Sequence, residues 1–140
     1  MTTVFTRIIR GELPGVFVWR DDVSVGFLSI NPMAFGHTLV VPRVEVDHWI
    51  DAEPELLRHL VDVSRIVGIA QQRAFQPERV GIIVAGYEVP HLHIHVIPTN
   101  DMSELSFAHA APSVSRDTLE EAAARIQDAL GSLGYSHGCD

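Results

Sequence analysis

From His91 to Ile97 the chain reads His-Leu-His-Ile-His-Val-Ile, three imidazoles on alternate positions of an otherwise apolar run. Successive side chains of a strand point to opposite faces, so the run puts three histidines on one surface and Leu92, Ile94 and Val96 on the other. Imidazoles at that spacing, roughly 6 to 7 Å apart at Cα, can surround one small centre, a metal ion or a phosphoryl group. They also raise the cost of protonating all three together. Pro90 and Pro98 flank the run and cannot donate to a ladder, which marks them as the expected ends of the strand.

A chain of 140 residues can bury a sizeable core, and one domain spanning 1–140 is expected. Apolar residues make up 46% and charged residues 20%, a globular balance that excludes a disordered tail or a membrane bundle. No apolar run reaches the roughly 18 residues of a spanning helix, and no basic segment precedes an apolar secretory core. A cytoplasmic protein with no membrane partner is therefore expected. The single cysteine, Cys139, excludes an intrachain disulfide and a thiolate-rich metal site. Net charge is −8 and the ten basic residues are scattered arginines, so no nucleic-acid partner is expected. Without lysine, a P-loop, a Schiff base and a pyridoxal phosphate site are excluded, which leaves histidine as the main reactive side chain.

The spacing of Val4, Phe5, Ile8 and Ile9 predicts a short helix over 3–10, stopped by Pro14. Val16 to Arg20 and Val23 to Ile30 read as a hairpin about Asp21-Asp22. Asn31 to Gly36 reads as a loop, and His37 to Val41 as a third strand closed by Pro42. A long helix starts at Pro54, its inward stripe of Leu56, Leu60, Val63, Val67, Ala70 and Ala74 widened by Leu57, Val61 and Ile66. Val80 to Val84 is the fourth strand and the histidine run the fifth. Residues 99–112 show no period and read as loop. Ser115 caps a last helix that buries Leu119, Ala122, Ile126, Leu130 and Leu133.

Three readings of the histidine face are open. A purely structural one gives up apolar contacts and demands a partner for every buried ring nitrogen. A metal reading uses two of the three with His37, or all three, and leaves a position for hydrolytic water. In a nucleophilic reading one neutral imidazole attacks phosphorus while its neighbours orient it and protonate the leaving group. With unperturbed pKa values near 6.5, adjacent rings would hold different protonation states at neutral pH. His48, His59, His109 and His137 read as ordinary hydrogen-bonded side chains.

The run resembles the histidine triad (HIT) signature at every position. Val4-Phe5, Ile8-Ile9-Arg10, Glu12-Leu13-Pro14, Phe27 to Pro32 and Gly36 to Arg43 resemble the N-terminal half of that family in order and spacing. The similarity covers about 3–98 and is followed by a helical extension at about 115–133. It implies an α+β, HIT-like fold, with a five-stranded antiparallel sheet, a long packed helix and a C-terminal helix, commonly paired into a homodimer. The implied activity is that of a nucleotide hydrolase or transferase needing no cofactor or metal. It would act on a purine nucleotide or a nucleotide conjugate such as a phosphoramidate, an adenylyl conjugate or a dinucleoside polyphosphate.

By resemblance, His93 attacks the α-phosphate to form a nucleotidyl-histidine that water resolves. His91 orients it, His95 meets a phosphate oxygen and the leaving group, and His37 completes the cluster. Val4, Phe5, Ile8, Leu13, Phe27 and Ile30 match the base pocket, Ser29 the ribose site, and Gly86 and Val89 the phosphate edge. Ser29 replaces an aspartate that accepts from both ribose hydroxyls, and Glu88 places a carboxylate where some members have a hydroxyl. Tyr87 replaces a common glutamine. Thr3, Thr6 and Glu45 stand where some members carry two cysteines and a histidine that bind zinc, as expected of a branch that folds without it. Two further readings follow, a nucleotide-binding module with little turnover and a His-ligated metal hydrolase.

Overall fold

The computed structural model describes residues 2–135; His137, Cys139 and the rest of 136–140 lie outside the described residues, as does Met1. Helix α1 (Val4–Ile9) begins at Thr3, whose side chain accepts from the Thr6 amide. Strands β1 (Phe17–Arg20) and β2 (Ser24–Leu28) form the expected hairpin. Its turn is held by the Asp21 carboxylate, which accepts from the Val23 and Ser24 amides at 2.7 Å each, from Trp19 Nε1 at 2.7 Å and from His59 Nε2 at 2.9 Å. Burial alone would push this carboxyl upward, but the donors on Trp19, Val23, His59 and Ser24 outweigh it and bring its pKa down to about 2.

Strand β3 (Thr38–Pro42), helix α2 (Pro54–Phe75), strands β4 (Arg79–Ile83) and β5 (Ile94–Thr99), and helix α3 (Arg116–Ser132) complete the main elements. The sheet is antiparallel throughout, in the order β1-β2-β3-β5-β4. Alternation along the strands divides it into two faces. On one, Val40, Ile94 and Val96 pack with Leu60, Val63 and Val67 of α2 and with Ile126 and Leu130 of α3. Burying a side chain of this size contributes roughly 1.5 to 3 kcal/mol. On the other, Phe5 of α1 packs with Val25, Phe27, Leu39 and Val41. Gln71, fully buried in α2, donates to the carbonyls of Gly36 and Val96 at 3.0 Å each and so ties the helix to the chain on either side of β3.

Three expectations are corrected. The fifth strand starts at Ile94, not His91, and runs through Pro98, which pairs with Val80. The β3–β5 ladder spans only Val40–Ile94 to Thr38–Val96. Residues 91–93 precede it, and Pro98 lies beyond its other end, where β5 is an edge on that side and tolerates a missing N–H. Val61, expected on the inward stripe of α2, is 47% exposed. Past β5 the chain is not plain loop: it makes 3₁₀ turns at Met102–Glu104, with a capping box from Asp101, and at Phe107–His109.

Gly36 sets the entry to β3 and hence the place of His37. Its φ of +93° is a left-handed conformation, and a Cβ there would overlap the Phe75 ring. Gly36→Ala is expected to lower the unfolding free energy by about 2 kcal/mol or more, from left-handed strain plus overpacking. Urea denaturation of the two proteins measures this directly.

Candidate active site

Because β5 begins late, two backbone carbonyls near its start are free of the ladder, and imidazoles take them. His91 Nε2 lies 2.7 Å from the Pro42 carbonyl oxygen, and His93 Nδ1 lies 2.7 Å from the carbonyl oxygen of His91. A carbonyl only accepts, so both nitrogens carry protons. His91 Nδ1 is then a lone pair that accepts from the Thr3 hydroxyl at 2.6 Å. On the neighbouring strand, His37 Nδ1 accepts from the Met33 amide at 3.0 Å, which puts its proton on Nε2, 2.9 Å from His95 Nδ1. His95 therefore carries its proton on Nε2. In the neutral quartet one lone pair is unengaged, on His93 Nε2, and one ring N–H is unengaged, on His95 Nε2.

Burial keeps the quartet neutral. It pulls His37 down to about 3, aided by repulsion from His95 and His93, and His95 to about 4, aided by His93. His91 is lowered mainly by burial, against the opposing pull of the Pro42 carbonyl and Glu45. His93 is lowered by burial too, against the His91 carbonyl and the charge of Glu88. The expectation that adjacent rings hold different protonation states is thus replaced. These rings differ by tautomer, because burial disfavours every charged form while the backbone dictates which nitrogen keeps the proton. Phe5 meets His91 and His93 edge-on, with centroids 5.7 and 5.0 Å away, and His95 stacks edge-on to His93 at 4.9 Å.

The cluster opens into a cavity of about 700 Å³. Val4, Phe5 and Ile8 of α1, Leu13 after it, and Phe27, Ser29 and Ile30 at the end of β2 line it together with Val89, His37, His93 and His95. His91, fully buried, stands behind the lining, and Gly86 lies outside it. The φ of +88° at Gly86 accounts for a glycine there without a ligand. Glu88 lines the cavity, whereas the Tyr87 side chain is 98% exposed. Ser29 Oγ accepts from the Asn31 amide at 3.2 Å, leaving one hydroxyl proton to offer.

Sequence reasoning missed one wall. Phe107, Ala110, Ala111, Pro112, Val114 and Arg116 line the cavity, and Phe107 packs edge-on to His95 with centroids 5.2 Å apart. The segment is held down by Asn31, which donates to the carbonyls of Ala111 and Pro112, and by the Ala111 amide, which donates to Pro32. Lacking a period, it offered only one signal, a large aromatic among alanines.

A metal does not fit these side chains. Both nitrogens of His91 are engaged within the protein, so the triad offers no three-ring site. Thr3, Thr6 and Glu45 are hydrogen-bonded to one another and supply no thiolate or imidazole. Among the described residues no group of three His, Cys, Asp or Glu is arranged to hold a metal ion. No helix among them is long and apolar enough to cross a membrane.

The chain is similar to known proteins in sequence and in fold. Residues 10–102 match the HIT domain family. An uncharacterised HIT-like protein of Methanocaldococcus jannaschii is 35% identical over 68% of this chain and 77% of its own. Adenylylsulfatase HINT3 of Arabidopsis thaliana is 28% identical over 84% of this chain and 60% of its own. The crystal structure of a zinc-bound histidine triad family protein from Mycobacterium smegmatis superposes with a TM-score of 0.82 at 27% identity, covering 95% of this chain and 96% of that one. With the five-stranded antiparallel sheet, the four-histidine cluster and the sequence match in agreement, the chain belongs to the HIT domain family.

Proposed function

We propose that this protein is a nucleotide hydrolase or transferase that attacks the α-phosphate of a purine nucleotide conjugate through His93. The observation that carries this reading is the single unengaged lone pair on His93 Nε2, beside a largely apolar cavity with room for a nucleoside. The base would lie among Val4, Phe5, Ile8, Leu13, Phe27 and Ile30, with Ser29 reaching the ribose. Val89 would stand by the phosphate. His93 Nε2 bonds to phosphorus as the bond to the leaving group breaks, and the leaving atom departs with the bonding pair. The positive charge that develops on the ring is shared with the His91 carbonyl through Nδ1–H. An arriving phosphate anion raises the proton affinity of the His95–His37 pair, which takes up one proton from solvent; His95 Nε2–H then gives a proton to the leaving atom and the pair returns to neutral. Water then attacks phosphorus and gives a proton to His95 Nε2, the bond to His93 Nε2 breaks, and the nucleoside monophosphate is released. The named activity of the Arabidopsis adenylylsulfatase supports adenylyl conjugates as a substrate class, beside phosphoramidates and dinucleoside polyphosphates.

One observation favours a second reading, a nucleotide-binding module with little turnover. The Glu88 carboxylate lines the cavity near His93 and would repel a phosphate. Adenosine phosphoramidate, a base quench and intact mass measurement separate the two. A nucleotidyl adduct is expected in the native protein and is absent in His93→Ala, whose kcat falls by at least about 1,000-fold. Binding without turnover in the native protein selects the second reading.

We also propose a homodimer joined along β4. This strand is one of the two edges of the sheet, and Val61, Ile69 and Ile82 line an apolar groove between it and α2, with Ile82 57% exposed. Light scattering should give twice the chain mass for the native protein and the single chain mass for Ile82→Arg.

The acid limb of kcat/KM tests the nucleophile further. His93 must be neutral to react, and its pKa is lowered from 6.5, so the reactive form persists below that pH. The midpoint of the limb is expected below 6.5. A midpoint above 7 would contradict the assignment.

A further inference from the structure

Thr3, Thr6 and Glu45 play no part in the chemistry above, yet they form a continuous hydrogen-bonded path to the triad. Glu45, in the loop after β3, accepts at Oε2 from the Thr3 amide at 2.7 Å and from the Thr6 hydroxyl at 2.5 Å. The Thr6 amide donates to Thr3 Oγ1 at 3.1 Å. Thr3 Oγ1 is 3.2 Å from Thr6 Oγ1 and 2.6 Å from His91 Nδ1. The Thr6 hydroxyl has given its proton to Glu45, and Nδ1 is a bare lone pair because Nε2–H faces Pro42. Two acceptors at 2.6 Å need a proton between them, and only Thr3 has one to give.

We propose that Glu45, Thr6 and Thr3 form a metal-free positioning relay that completes the hydrogen bonding of the His91 ring, in the tautomer that Pro42 sets, and thereby holds the His91 carbonyl against His93 Nδ1–H. The role of the last contact rests on the reading of His93 as nucleophile. Glu45 fixes Thr3 by accepting from its amide and from the Thr6 hydroxyl, and of the two acceptors then open to the Thr3 hydroxyl, Thr6 Oγ1 at 3.2 Å and His91 Nδ1 at 2.6 Å, the ring nitrogen is the nearer. Thr3 satisfies a nitrogen of a ring that is fully buried. Without that proton Nδ1 is a buried lone pair with no donor, and His91 loses a reason to keep its ring between α1 and Pro42. The backbone at 91 is then freer to turn its carbonyl away, and His93 can shift its proton to Nε2, the form that cannot attack. Thr3 is also the cap of α1, so the same residue fastens the apolar wall of the cavity to the nucleophile.

The test uses the full chain with Thr3→Val, Thr3→Ser and Glu45→Ala, and two readouts. Ring-nitrogen NMR reports tautomers without any turnover; kinetics on adenosine phosphoramidate reports kcat and KM separately. The native protein and Thr3→Ser should show His91 as Nε2–H and His93 as Nδ1–H. Thr3→Val should leave His91 as Nε2–H but let His93 populate its Nε2–H form, and lower kcat by about 10- to 100-fold, the usual cost of losing an outer hydrogen-bond partner, and Thr3→Ser should restore both. Glu45→Ala removes an exposed side chain and shifts both readouts the same way, so it decides the matter should Thr3→Val not fold. Native tautomers and kcat in folded Thr3→Val or Glu45→Ala would overturn the relay, as would a rise in KM alone, which marks a clamp on α1 and nothing more. Should the native protein show no turnover, the nucleophile assignment fails, while the tautomer measurement still decides the relay.

Discussion

A hydrogen bond of 2.7 Å from His93 Nδ1 to the carbonyl of His91 is the contact on which the site depends. It requires a carbonyl that no strand has claimed, and the fold provides one by starting the β3–β5 ladder at Ile94. The Pro42 carbonyl, beyond the same end of that ladder, receives His91. The triad thus begins in a stretch of irregular backbone whose groups are spent on imidazoles. The loss of two ladder positions is offset by the two hydrogen bonds that buried rings make to those carbonyls.

The two faces of the sheet divide the labour. Ile94 and Val96 anchor β5 in the core beneath α2 and α3, while His93 and His95 look into the cavity between β5, α1 and the end of β2. Rigidity on the first face is what fixes tautomers on the second, since a ring can hold one proton position only if its acceptor does not move. Gln71 adds to this by bonding α2 to both Gly36 and Val96, on either side of the His37–His95 contact.

Burial acts on the histidines as a group. Four rings sharing one low-dielectric region repel one another's charge, so the free site rests in its neutral state and accepts charge only when an anion arrives. An apolar surround that includes Phe5 and Phe107 reinforces this, and Phe107 comes from the segment between β5 and α3 that closes one wall. Arg116, the first residue of α3, also lines the cavity, so the C-terminal helix takes part in shaping the site.

The order of elements, the shared face of His93 and His95 and the apolar positions around them were legible in the sequence, because strand period and helical period are local properties of the chain. The resemblance to the HIT signature added the candidate roles. What the sequence could not determine was the direction of each proton. That depends on Pro42, Met33, Thr3 and the His91 carbonyl meeting ring nitrogens across the fold, over as many as 88 residues for the Thr3–His91 pair. Phe107 against His95 was equally hidden, since an irregular segment carries no period to reveal its position. Local patterning chose which groups could react; only tertiary hydrogen bonding, by assigning each imidazole its tautomer, decided which nitrogen is free to do so.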